Sequence, residues 1–170
     1  LKLYERFYDI LSPEQQEICI EELEKPTWQP TGQSNSESNI IYFWYKELID
    51  NAFFNTTFLK RIEFLTKKKF KIDRLYANGQ SYGQVGNLHT DSEEEQSWTF
   101  VYYANRCWNI NWGGSTVFFK NEKEFDQALF IPNTGVIFKS NIPHAGLEPT
   151  RHFTYVRMTV AFKLTEIMKD

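Results

Sequence analysis

Two hydrophobic periods divide this chain. Through the first sixty-odd residues apolar positions recur at helical spacing, and from Phe70 onward they alternate. Ser12-Pro13-Glu14-Gln15 forms a capping box with Pro at the first helical position, so a helix is expected toward Glu24. Lys25 to Asn39, rich in Pro, Thr, Ser, Asn and Gly, reads as a loop. Ile40, Ile41, Phe43, Trp44 and Leu48 fit a second helix, and Phe58, Leu59, Ile62 and Leu65 a third. Lys67-Lys68-Lys69 reads as its solvated end, with the cations suited to a helix C-terminus.

In the second part Phe70, Ile72, Arg74 and Tyr76 alternate on one face. A Gly-punctuated polar loop, Asn78 to Asn87, follows. Further strands are expected at Trp98 to Tyr103, Ser115 to Phe119, Val136 to Phe138, around His144, and at Thr154 to Leu164. Helices followed by about eight short strands predict an α+β chain that is mainly β. Its strands would form a two-sheet jelly roll supported by the N-terminal helices. One domain over 1–170 is expected, with 1–69 as helical support and 70–164 as the core.

Composition narrows the class. Aromatic residues make up 17 % and hydrophobic residues 41 % of the 170, which excludes a disordered chain and suits a packed sheet protein. A net charge of −3 argues against nucleic acid or an anionic membrane as partner. No apolar run is long enough to span a bilayer, and Cys19 and Cys107 read as separate thiols of a reducing compartment. A cytoplasmic protein is therefore expected, although a start at Leu1 rather than Met leaves room for an upstream segment.

The chain has three histidines, and two of them join one pattern: His89-Thr90-Asp91, then His144. On an extended strand residues i and i+2 share a face, so His89 and Asp91 can reach one ion while Thr90 turns away. Two imidazoles and a carboxylate make the facial triad that holds ferrous iron with positions left open. A lone H-x-D triplet also occurs on surface strands, so spacing alone leaves both readings standing. His152, beside Arg151 in a polar turn, reads as a surface residue. Glu93-Glu94-Glu95 reads as a solvated loop, with a preference for basic substrates as the alternative.

The flanking residues carry more. Tyr76 before a Gly-bearing loop, His89-x-Asp91, Val101-Tyr102-Tyr103-Ala104-Asn105, Trp112-Gly113-Gly114-Ser115-Thr116, Pro132-x-x-Gly135, Pro143-His144 and Arg157-Met158-Thr159 appear in that order. In this order the region from Lys71 to Leu164 resembles the iron(II)/2-oxoglutarate oxygenases, particularly the prolyl 4-hydroxylase-like branch. The resemblance implies a double-stranded β-helix in which His89, Asp91 and His144 bind iron(II). It implies that Arg157 and Thr159 hold the distal carboxylate of 2-oxoglutarate, that Tyr103 reaches the same carboxylate, and that Tyr76 shapes the cleft near the metal. A guanidinium suits that anchor because it can give a carboxylate two parallel hydrogen bonds. Arg151 is a rival anchor, six residues before Arg157, but the intervening residues lack the Asn of the nucleic-acid demethylase branch.

The activity implied is a dioxygenase reaction consuming 2-oxoglutarate and dioxygen, with ascorbate as accessory reductant. It would hydroxylate an unactivated C–H bond, a prolyl residue of a peptide or protein being the expected substrate. A free amino acid, a small metabolite, or a non-catalytic sensor that only binds iron and 2-oxoglutarate are the alternatives. Ser115 stands where many relatives have Glu, and the stretch between Tyr76 and His89 is longer than in some hydroxylases, so substrate identity does not transfer.

Overall fold

The computed structural model describes residues 2–34 and 41–168. Strand β1 (Glu5–Phe7) precedes helix α1 (Pro13–Glu24), strands β2 (Gln29–Gly32) and β3 (Phe43–Glu47). A π-helical turn at Phe53–Phe58 runs into α2 (Leu59–Thr66). Then come β4 (Phe70–Gln80), β5 (Ser97–Tyr103), β6 (Thr116–Phe119), β7 (Phe125–Ala128), β8 (Thr134–Lys139), β9 (His144–Gly146) and β10 (Arg157–Glu166). The strands form two antiparallel sheets. The larger has the order β1-β8-β5-β10-β4-β3-β2 and the smaller β7-β6-β9. An antiparallel bridge between His89 and His144 adds the chain around His89 beside β9. This is the mainly β jelly roll that the alternation predicts.

The helices cover the outer face of the larger sheet. The Ser12 cap forms as expected: its hydroxyl accepts from the Gln15 N–H, and the Gln15 side chain accepts from the Ser12 N–H. Helix α1 buries Cys19, Ile20 and Leu23, α2 buries Ile62, and Phe58 is seated between Tyr102 and Phe162 at centroid distances of 4.9 and 5.1 Å. Burial pushes the Cys19 thiol up, which keeps it a neutral core group. A second core, with Tyr103, Phe118, Phe130 and Phe138, packs residues of the two sheets together, Phe118 of β6 lying 4.9 Å from Phe138 of β8.

Three expectations are corrected. The helix expected from Ile40 to Leu48 is strand β3 over its described part, Ile40 itself lying outside the described residues. Phe43 and Tyr45 point one way and Trp44 and Lys46 the other, so both faces are used. Aromatic runs of this kind favour the pleat once an edge offers pairing, and Tyr45 pairs with Asn78 of β4. The approach is close: a Cβ at Gly79 would lie 2.8 Å from Val156 Cγ1 and 3.1 Å from Trp44 Cβ. The loop expected from Lys25 to Asn39 contains β2, which extends the same edge, so the 1–69 region is not purely helical support. The loop expected from Asn78 is strand through Gln80.

The alternation in β4 also breaks. Arg74 faces Lys163, but Ile72 faces Leu164, leaving Asp73 as an extra residue. This β-bulge sends Phe70 and Ile72 to the core while Arg74 and Tyr76 stay on the opposite, inner face.

Candidate active site

Between the sheets lies a cavity of about 420 Å³, a size suited to a small ligand. One wall is a stripe of paired inner-face residues from β10 and β4: Arg157 opposite Gln80, Thr159 opposite Asn78, Ala161 opposite Tyr76, Lys163 opposite Arg74. The smaller sheet supplies Thr116, His144 and Gly146, and the chain beside it His89 and Asp91. Strand β3 contributes Phe43 and Tyr45, and the 31–34 segment closes one side.

His89, Asp91 and His144 converge, with their ligand atoms all within 4.8 Å of one another. The Asp91 carboxylate lies 3.3 Å from His89 Nε2 and 3.4 Å from His144 Nε2. Each imidazole is oriented through its other nitrogen: His89 Nδ1 is 2.8 Å from Asn87 O, and His144 Nδ1 is 2.9 Å from Ile142 O. A carbonyl can only accept, so both Nδ1 atoms carry the hydrogen and both Nε2 lone pairs face the shared point. Burial pulls His144 down to about 4, outweighing the opposing pull of Asp91, so this ring is neutral at physiological pH. The donor set is that of an iron(II) facial triad, and its oriented lone pairs fit a divalent ion.

Asp91 is itself held. Lys163 donates to its Oδ2, and Thr99 Oγ1 donates to the same oxygen at 2.6 Å. Burial raises the carboxyl's pKa, but the Lys163 ammonium beside it overcomes that and holds it well below the usual carboxylate range. The Asp91 N–H donates to Ser140 O at 2.8 Å, which fixes the backbone beneath it. Sequence reasoning found neither Lys163 nor Thr99. The i+6 relation of Lys163 to Arg157 on one strand face could have marked it.

At the inner end Arg157 is 2 % exposed. Its Nε donates to Gly114 O at 2.7 Å and its Nη1 to Gln80 Oε1 at 2.6 Å. Both acceptors are neutral, and Nη2 has no protein acceptor among the described residues. Gly114, at φ +75°, lets the chain wrap this guanidinium: a Cβ there would sit 3.1 Å from Arg157 Cδ and Nε. Burial pulls the guanidinium down to about 10, which leaves it charged at neutral pH. A buried cation with no carboxylate partner is strongly suited to receiving one. The sites fit both members of an iron(II) and 2-oxoglutarate pair.

The other expected residues separate. Thr159 and Tyr76 line the cavity. Tyr103 is not in the wall: its hydroxyl donates 2.9 Å to Thr116 Oγ1, and Thr116 is the residue that faces the space. Arg151 lies outside, exposed and stacked 5.0 Å from the Tyr82 ring. Glu93, Glu94 and Glu95 are exposed and outside the cavity, as is His152. No helix among the described residues is long and apolar enough to cross a membrane.

Comparison with known proteins agrees with this geometry. The sequence profile described as the 2OG-Fe(II) oxygenase superfamily matches residues 75–163, a little over half of the chain. No curated protein sequence matches significantly. Among solved structures, a prolyl hydroxylase from Trichoplax adhaerens, in complex with a hypoxia inducible factor oxygen degradation domain peptide fragment, superimposes with a TM-score of 0.71 at 13 % identity, covering 96 % of this chain and 84 % of that one. A Pseudomonas putida prolyl-4-hydroxylase gives 0.68 at 15 % identity, covering 97 % and 93 %. The non-heme alpha ketoglutarate dependent carbocyclase SnoK from nogalamycin biosynthesis gives 0.70 at 11 %, covering 96 % and 79 %. At such identities the likeness is one of fold.

Proposed function

Because this chain belongs to the 2OG-Fe(II) oxygenase superfamily, we propose that it is a dioxygenase hydroxylating a prolyl residue in a peptide or protein. The observation that carries the oxygenase reading is the pairing, in one cavity, of three converged metal ligands with a buried, carboxylate-free Arg157. Iron(II) and 2-oxoglutarate, once bound, supply the oxidising chemistry, using dioxygen and releasing succinate and carbon dioxide.

The chain's own residues do the positioning. His89, Asp91 and His144 would hold the iron on one face, with the backbone carbonyls of Asn87 and Ile142 keeping both imidazoles in the ligating tautomer. Lys163 and Thr99 restrict the Asp91 carboxylate to one orientation. Arg157 would take the distal carboxylate of 2-oxoglutarate through Nη2, with Thr159 as a second donor on the same strand face. Its burial keeps water away from that end. Tyr45 and Tyr76, stacked at 5.2 Å, stand in the cavity wall and would border the substrate.

A peptidyl substrate is supported by the fold likeness to prolyl hydroxylases, one of them in complex with a peptide fragment. A small-molecule substrate is the second reading, supported by the comparable likeness to SnoK. Succinate formation from 2-oxoglutarate in air, with iron(II) and ascorbate, tests both. Stimulation by proline-containing peptides, lost in His144→Ala, with a +16 Da peptide product, is the expected outcome. Stimulation by small molecules alone would select the second reading. Binding of 2-oxoglutarate without any turnover would leave a non-catalytic sensor.

A further inference from the structure

Among the described residues the cavity wall holds three cationic side chains, and two have a partner or an assigned ligand. Arg157 is reserved at the inner end, and Lys163 is committed to Asp91. Arg74 is the third. It stands opposite Lys163 on the neighbouring strand, which places the two side chains about 5 Å apart at Cβ. Lys163 reaches a metal ligand, so Arg74 is the cation next outward from the metal.

Arg74 has no ion-pair partner among the described residues. The acids nearest to it in sequence and register are engaged elsewhere. Asp73 accepts from Thr165 Oγ1 at 2.5 Å and lies 3.5 Å from Lys71 Nζ. Glu47 Oε2 accepts the Tyr45 hydroxyl at 2.6 Å, and its Oε1 accepts the N–H groups of Leu48 and Ile49 at 3.1 and 3.2 Å. What holds Arg74 is an aromatic surface, its guanidinium carbon 5.0 Å from the centroid of Tyr76, which stacks in turn on Tyr45. Stacking leaves the edge of a guanidinium, where all its N–H donors lie, free for a planar anion. The bulge at Asp73 keeps Arg74 on the cavity face although Ile72, two residues before it, faces the core.

We infer that Arg74 is a specificity residue that receives a carboxylate of the primary substrate at the outer end of the cavity. The inference rests on the hydroxylase reading and narrows it. In a peptide the group is an Asp or Glu side chain close to the modified residue; in a free amino acid it is the α-carboxylate. None of Glu93, Glu94 and Glu95 lines the cavity, and Glu93 accepts from the hydroxyl of the wall residue Thr90 at 2.9 Å.

The test separates binding from turnover. Fluorescently labelled proline-containing peptides, flanked by Asp or Glu, by Asn or Gln, or by Lys, are titrated with the protein under argon, with iron(II) and 2-oxoglutarate present, and anisotropy is read. Acid-flanked peptides should bind about tenfold more tightly than Lys-flanked ones. Arg74→Glu should reverse that order and Arg74→Lys should keep it. Lys123→Glu, the same change in charge on an exposed loop outside the cavity, should leave the order as it was. An unchanged order in Arg74→Glu, or equal binding of all the peptides by the unsubstituted protein, overturns the assignment. Free amino acids that bind in calorimetry where no peptide binds, and lose that binding in Arg74→Glu but not in Lys123→Glu, would assign the carboxylate to a small substrate and uphold Arg74. If neither peptides nor free amino acids bind, the assignment fails. Succinate measured in air on the same panels judges the hydroxylase reading independently: an Arg74-dependent order without turnover by any ligand would defeat that reading and not this one.

Discussion

The two ends of the cavity are both cationic and are built in opposite ways. Arg157 at the inner end is sealed under Gly114, tied to neutral acceptors and almost without exposure. Arg74 at the outer end is exposed, without an ionic partner among the described residues, and supported by a tyrosine ring. A buried guanidinium acts in low dielectric and is pre-oriented, so it serves one fixed anion well. An exposed one is screened and adaptable, so it selects among ligands without holding any of them tightly. Between them lies the metal triad, itself braced by the third cation, Lys163.

The comparison can be broken most severely at its centre. Asp91→Ala removes the only carboxylate of the triad and leaves Lys163 facing two imidazoles, so iron(II) binding and turnover should fall by several orders of magnitude; metal titration monitored by calorimetry would reveal it. At the inner end, Arg157→Ala should weaken 2-oxoglutarate by about a hundredfold, since loss of a buried charged partner costs roughly 2–5 kcal/mol. Arg151→Ala, outside the cavity, should change it little, and equilibrium dialysis of labelled 2-oxoglutarate ranks the two. Lys163→Met keeps the packing but frees Asp91 Oδ2, and should weaken iron(II) by roughly tenfold.

A pH series sharpens the comparison further. His144 is pulled down to about 4 in the folded metal-free protein, against 6.5 for an unperturbed imidazole. Between those values the unfolded chain binds more protons, so stability is fully present above about pH 6.5 and is lost as pH falls toward 4. Melting of the metal-free protein should drop by roughly 5 °C or more across that window, and His144→Asn should flatten the slope. The smallest effect concerns salt. Raising ionic strength about tenfold should weaken an acidic substrate at Arg74 severalfold, yet alter 2-oxoglutarate binding at Arg157 by less than about twofold.

Much of the site was legible because its chemistry follows short-range rules. His89 and Asp91 stand two apart and reach one point, although His89 makes only an isolated bridge and Asp91 lies in a bend outside any strand; Arg157 and Thr159 share a face of β10, and the structure brings all four to one cavity. The capped α1 helix was equally legible, since Ser12 and Gln15 satisfy each other locally. Other parts were not. The contact of Lys163 with Asp91 spans 72 residues, and no periodicity reports it. Tyr103 was expected at the cosubstrate and stands behind Thr116, because the depth of a side chain depends on what the facing sheet inserts before it.

By itself the sequence determined which positions alternate, where the first helix begins, and which side chains can ligate a metal or hold a carboxylate. These are properties of single residues and near neighbours along one backbone. Only the tertiary structure decided that Phe43–Glu47 is an edge strand, that Asp73 bulges so Arg74 keeps to the inner face, and that 31–34 closes the cavity. Each depends on hydrogen bonds and packing supplied by a partner strand distant in sequence, and that partner overrides local preference.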